Sequence, residues 1–278
     1  MRLCVLDGRS TLLTAEGEVD VETASGGRFS RDVARLYTEW TVFRLWADGF
    51  EDAPGDAQPE LDRLGALSPS PSQVLAIGLN YVDHAAESGF AVPEVPIVFT
   101  KFPSSVAGPG EDVRLTGDEV DWEIEIVAVI GTGGRSIPAE RAWEAIAGLT
   151  IGQDYSDRAV QFAGAPVQFS LGKSFAGFAP IGPVLVTPDA LPDPAEVVLE
   201  CAVAGEIMQR APLADLILPI PALIEFLSDV VELRPGDLVF TGTPPGVGFG
   251  REPRRYLAAG ETVRSSATGI GWMSQTFR

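Results

Sequence analysis

The chain has 278 residues, 45% of them hydrophobic and 21% charged, with a formal net charge of −19. That length fits one large domain or a domain with a small companion, and the composition excludes a disordered chain. So acidic a surface repels phosphate backbones and anionic lipid, which argues against nucleic-acid and membrane-surface partners. The start MRLCVLDGRS lacks a signal-peptide pattern, and no run of about 18 apolar residues exists, so a cytoplasmic protein without membrane spans is expected. The cysteines Cys4 and Cys201 have no metal-like spacing and form no disulfide framework. Only two lysines (Lys101, Lys173), one histidine (His84) and one asparagine (Asn80) are present, so chemistry that needs them has few candidates.

In chain order, Leu3–Leu6 reads as a strand closed by an Asp7–Gly8 turn, with short β pieces after it. Residues 31–48 carry apolar side chains at near-helical spacing and predict one amphipathic helix. The Pro-, Ala- and Ser-rich stretch 51–73 predicts a linker, which divides a small N-terminal α+β domain (1–70) from a catalytic domain (71–278). VLAIGLN (74–80), VPIVFTKF (95–102), DVRLTG (112–117) and EVDWEIEIVAVIG (119–131) follow as strands. A short helix and a strand ending at Asp154 come next. QFSLGKSF, GPVLVT, VVLECAVAGEIM, DLVFTGTP and ETVRSSATGIG predict further strands, and residues 219–233 a helix. Many strands without regular βα alternation predict a predominantly β fold with a few packed helices.

Glu123 and Glu125 are two apart on a strand and so share a face, about 7 Å apart by strand geometry, with Trp122, Ile124 and Ile126 on the other. Side-by-side carboxylates repel and lose hydration, costs that a bound dication relieves; the same spacing also fits a solvated acidic face. Asp154 at a strand end can add a third oxygen, or serve as a turn residue. An oxygen-only shell suits Mg²⁺ first, with Mn²⁺ or Ca²⁺ as alternatives, rather than zinc. His84 and Glu87 are three apart, so on a helical turn the carboxylate can orient the imidazole for deprotonating water. GTGGRS lacks the last glycine of a dinucleotide loop. TGTPPGVGFG (241–250) lacks GK[ST], and its expected use is to present backbone N–H groups from a rigid loop.

Taken together, AIGLNYVDHAAESG, PIVFTKFPSSVAGPG, VDWEIEIVAVIG, IAGLTIGQDYSDRAVQ, QFSLGKSFAGFAPIGPVLVT, LVFTGTPPGVGFG and the closing GIG resemble the fumarylacetoacetate hydrolase family, in family order across residues 74–271. The wording is most similar to acylpyruvase and 2,4-diketo-3-deoxy sugar acid hydrolase members. The resemblance implies a mixed β-roll domain, a homodimer and a divalent metal held by Glu123, Glu125 and Asp154. It also implies a water-activating pair, His84 and Glu87, carried on a segment that closes over the site. Lys173, Arg158, Gln161 and Thr243 are implied to hold the substrate. Ala159 and Ala176 depart from an Asp that many relatives carry. The implied activity is hydrolysis of a C–C bond in a 2,4-diketo acid or related 1,3-dicarbonyl. Decarboxylation or isomerisation of oxaloacetate-like acids, and a non-catalytic binding role, are the alternatives.

Overall fold

The structure, a computed structural model, describes all 278 residues. Strands β1 (Arg2–Leu6), β2 (Arg9–Thr14) and β3 (Gly17–Asp20) form an antiparallel meander. Asp7 and Gly8, at φ 50° and 74°, make the first hairpin turn, in which both central residues take the left-handed conformation. The helix expected over 31–48 is instead two helices, Val33–Thr38 and Trp40–Ala47, separated at Glu39 (φ −119°, ψ 22°). The change of direction serves two tertiary contacts. Tyr37 donates its hydroxyl to the Leu67 carbonyl at 2.8 Å, and Trp40 packs so closely over Gly131 that a Cβ there would lie 2.6 Å from its ring.

The chain then gives β4 (Val74–Gly78), β5 (Ile97–Thr100), β6 (Val106–Ala107), β7 (Val120–Asp121), β8 (Ile124–Ile130), β9 (Ile146–Gln153), β10 (Ser156–Asp157) and β11 (Ala179–Val186). After these come β12 (Val198–Val203), β13 (Glu206–Pro212), β14 (Leu238–Phe240), β15 (Thr262–Ala267) and β16 (Gly271–Thr276). The large sheet runs β3-β2-β1-β11-β9-β8-β14-β4-β5, with β6 also on β11; a second sheet runs β13-β12-β15-β16. The fold is thus mostly β with few helices, as expected. The N-terminal strands share the large sheet through β1, which pairs Arg2 with Val186 and Leu3 with Leu185 of β11.

Three expected strands differ. Residues 112–117 form none, only a parallel bridge from Val113 to Phe277, because their partner, the C-terminal tail at the end of β16, offers only residues 276–278 to pair with. The segment 168–175 makes a helical turn at Leu171–Lys173. The long strand over 119–131 is broken at Trp122–Glu123 between β7 and β8.

The large sheet is a central layer. Along β8, Ile124, Ile126, Ala128 and Ile130 enter a core shared with the second sheet and with the helix Ile220–Val230. Val127 and Val129 enter another core, with Leu36, Tyr37 and Phe43 of the N-terminal helices. Burial on both faces explains why β8 reads as a near-continuous apolar run. At its start, the second face changes from apolar to acidic.

Candidate active site

The acidic face begins at the strand break. There, side chains replace the missing backbone partners: the Glu123 N–H donates to Gln153 Oε1 at 2.9 Å and the Ile124 N–H to Gln209 Oε1 at 3.0 Å. Asp154, directly after β9, donates its N–H to the Glu123 carbonyl at 2.8 Å. One oxygen from each of Glu123, Glu125 and Asp154 then lies within 4.8 Å of the others, and all three residues are buried. The solvated acidic face and the turn role for Asp154 are therefore set aside.

Three cations hold this cluster together. Lys173 Nζ donates to Glu123 Oε2 and Asp154 Oδ2, each at 2.6 Å. Lys101 Nζ donates to Asp154 Oδ1 at 2.5 Å and to the Lys173 carbonyl. Arg158 Nη2 lies 2.7 Å from Glu123 Oε1 and 2.7 Å from Asp121 Oδ2, and Arg158 Nη1 donates to Gln161 Oε1 at 2.9 Å. Burial works against the charge on Glu123, but Lys173 and Arg158 win and hold its carboxyl well below the usual range. Burial also pulls the Lys101 ammonium down, against Asp154, which supports its charge.

Glu125 is the exception. Its one hydrogen bond comes from the Gly242 N–H at 2.7 Å, and no cation pairs with it. Burial first, then the charges of Asp154 and Glu123, push its carboxyl well above the usual value. A buried carboxylate without a counter-charge, facing two others, fits a bound dication. An all-oxygen donor set suits a hard one such as Mg²⁺ or Mn²⁺.

His84 lies on the helix Val82–Glu87, and its Nδ1 is 2.8 Å from Glu87 Oε1. Both Glu87 oxygens also accept from the Gly246 N–H, at 3.0 and 2.8 Å. A carboxylate in that setting accepts, so Nδ1 carries the proton and Nε2 keeps a lone pair. Gly246 belongs to the 241–250 loop, which does present backbone N–H groups as expected. Gly242 serves Glu125, Gly246 serves Glu87, and Gly248 and Phe249 donate to Asp121 at 2.7 and 2.9 Å. Only glycine fits at 246, where φ is +110° and a Cβ would lie 2.0 Å from the Met208 carbonyl oxygen.

His84, Glu123, Glu125, Arg158, Gln161, Lys173 and Thr243 all line one cavity. Its walls are largely phenylalanine and isoleucine. The hydroxyl of Thr243 is committed to the scaffold: it donates to the Ile124 carbonyl at 2.8 Å and accepts from Gln209 Nε2 at 2.7 Å. Ala159 and Ala176 are exposed and outside the cavity lining, so the two departures leave its wall intact. Sequence reasoning missed Lys101 and Asp121 as site residues. Lys101 could have been found as one of only two lysines, directly after the apolar run of β5; Asp121 as a third acidic residue beside Glu123.

The fumarylacetoacetate hydrolase C-terminal family model matches residues 73–278. The chain belongs to the fumarylacetoacetate hydrolase family. Over 207 residues it is 41% identical to oxaloacetate tautomerase fahd2, mitochondrial, of Xenopus laevis; the match covers 74% of this chain and 65% of that relative, so the chain spans somewhat less than two thirds of its length. A solved chain from Mycobacterium smegmatis, provisionally labelled HpcE, is 51% identical with a TM-score of 0.93, covering 100% of this chain and 99% of that one. The fumarylacetoacetate hydrolase of Exiguobacterium antarcticum is 32% identical with a TM-score of 0.81, covering 99% of this chain and 98% of that one. No helix is long and apolar enough to cross a membrane.

Proposed function

We propose that this family member catalyses keto–enol chemistry at the carbon beside the 2-oxo group of a small 2-oxo acid. The observation that carries the reading is that His84, paired with Glu87, lines the same cavity as Glu123 and Glu125. Moving a proton on such a carbon needs a base beside it and positive charge at the neighbouring oxygen. Glu123, Glu125 and Asp154 would hold the divalent metal, Mg²⁺ by preference, which when bound supplies Lewis-acid polarisation of the substrate. His84 offers Nε2 as the base, and Glu87, held by Gly246, fixes the ring orientation and stabilises the imidazolium that forms. Lys173 keeps one ammonium proton beyond the two given to Glu123 and Asp154, and it takes the substrate carboxylate. Gln161 turns its Oε1 to Arg158, which leaves its amide nitrogen as a second donor. Tautomerisation is the least that this set of groups must do, and the tautomerase name of the 41% identical relative supports it.

A second reading is hydrolysis of a C–C bond in a 2,4-diketo acid, yielding a 2-oxo acid and a carboxylic acid. The motif wording favours it, as does the likeness to the solved fumarylacetoacetate hydrolase and to the maleylpyruvate hydrolase of Sphingobium sp. SYK-6, at 32% and 27% identity. There His84 would take its proton from water instead of carbon. Following the enol absorbance of a 2,4-diketo acid together with release of a 2-oxo acid separates the two. When the substrate is added as its enol, away from the keto–enol equilibrium, faster relaxation of the enol band to its uncatalysed equilibrium level without products marks a tautomerase; stoichiometric products mark a hydrolase. Chelation should abolish either activity, and His84→Asn should lower it roughly 10²–10⁴-fold while dication binding, read by calorimetry, persists. Full activity in His84→Asn or in EDTA would refute both readings.

A further inference from the structure

We propose that the substrate's end distal to its 2-oxo acid is apolar, an alkyl or aryl group, and that a wall of four phenylalanines selects it. This rests on the 2-oxo acid reading of the site. Phe99 of β5, Phe162 and Phe169 of one connecting segment, and Phe249 come from three separate stretches of chain and touch in series along the cavity. Phe99 meets Phe169 edge-on with centroids 5.6 Å apart, Phe162 meets Phe169 edge-on at 6.2 Å, and Phe162 stacks on Phe249 at 5.1 Å. The wall borders the polar groups: Lys173 Nζ lies 5.1 Å from the Phe99 ring centroid and Arg158 Cζ 5.7 Å from that of Phe249, which leaves Phe162 and Phe169 as its purely apolar middle.

The cations of the cavity are already committed. Arg158 gives its Nε and Nη2 to Asp121, with Nη2 also on Glu123, and its Nη1 to Gln161. Lys173 bonds Glu123 and Asp154, and its remaining proton serves the first carboxylate. His84 faces Glu87. Arg254 stacks on Phe249, 4.3 Å from the ring centroid, but does not line the cavity. A second carboxylate against Phe162 and Phe169 would therefore meet phenyl rings, and the cations nearest to it, Lys173 and Arg158, are already paired, so it would lose its hydration without a free partner. An apolar tail there gains by burial, and a pocket of this kind separates tails that differ by a methylene by roughly tenfold or more.

The test compares 4-phenyl-2,4-dioxobutanoate with 2,4-dioxohexanedioate, and both with the short 2,4-dioxopentanoate. All three enolise and all can be cleaved, so, with each added as its enol away from equilibrium, the initial rate of enol-band decay above the uncatalysed rate reports preference whichever reaction occurs. The phenyl compound should exceed the dicarboxylate in kcat/KM by tenfold or more. Phe169→Ser should lower kcat/KM for the phenyl compound at least tenfold more than for 2,4-dioxopentanoate, chiefly through KM. Preference for the dicarboxylate, or equal loss on both substrates in Phe169→Ser, overturns the proposal and leaves the 2-oxo acid reading standing. Turnover of none of the three defeats that reading, and this proposal with it.

Discussion

Replacing Lys101 with methionine tests whether the acidic cluster is one shared charge site. The ammonium is fully buried, bonded to Asp154 at 2.5 Å and to the Lys173 carbonyl. Methionine fills the space of the aliphatic stem, so little is lost in packing. What goes is one of three cations facing four carboxylates: Asp121, Glu123, Glu125 and Asp154. Breaking a buried pair costs about 3–5 kcal/mol, of which about 1–3 kcal/mol belongs to the orphaned carbonyl. At roughly 2–4 °C per kcal/mol, the melting temperature in EDTA should fall on the order of 10 °C. Saturating Mg²⁺ brings two positive charges to the same oxygens and should recover the charge part, leaving the carbonyl part. Calorimetric melting of both proteins, with EDTA and with Mg²⁺, reads this directly. An equal loss in both conditions would show that the carboxylates do not share a cation site, and the metal assignment would fail.

Glu125 predicts a pH dependence. Its carboxyl is raised in the fold above the ordinary 4.5, mainly by burial, so the folded state holds its proton more tightly than the unfolded chain does. In EDTA the stability from this group is complete below that ordinary value and is lost as pH rises toward the raised one. Mg²⁺ should flatten the slope and Glu125→Gln should remove it; a slope that persists in Glu125→Gln would point to another group. Gly246→Ala should force the backbone out of its φ of +110°, at about 1–3 kcal/mol, and pull the N–H off Glu87. The expected kinetic result is a kcat/KM loss of roughly 10²-fold with Mg²⁺ affinity unchanged. An equal fall in both would mean general collapse of the site rather than misplacement of the base.

The sequence by itself determined the elements whose causes are local. The two-residue period placed Glu123 and Glu125 on one face, the three-residue spacing paired His84 with Glu87, and the glycines of 241–250 announced a loop of backbone donors. The predominantly β character was equally readable from strand-length apolar runs. Tertiary structure decided what depends on partners far along the chain. The break in the 119–131 strand exists because Gln153 and Gln209 side chains take over its backbone hydrogen bonds. Residues 31–48 divide because Tyr37 and Trp40 must reach Leu67 and Gly131. Lys101 and Arg158 become counter-charges, and phenylalanines from three distant stretches become one wall, only once the strands are in register. Local pattern reports which way a side chain points; burial and cross-strand distance decide which charge it meets, and neither is written in a single segment.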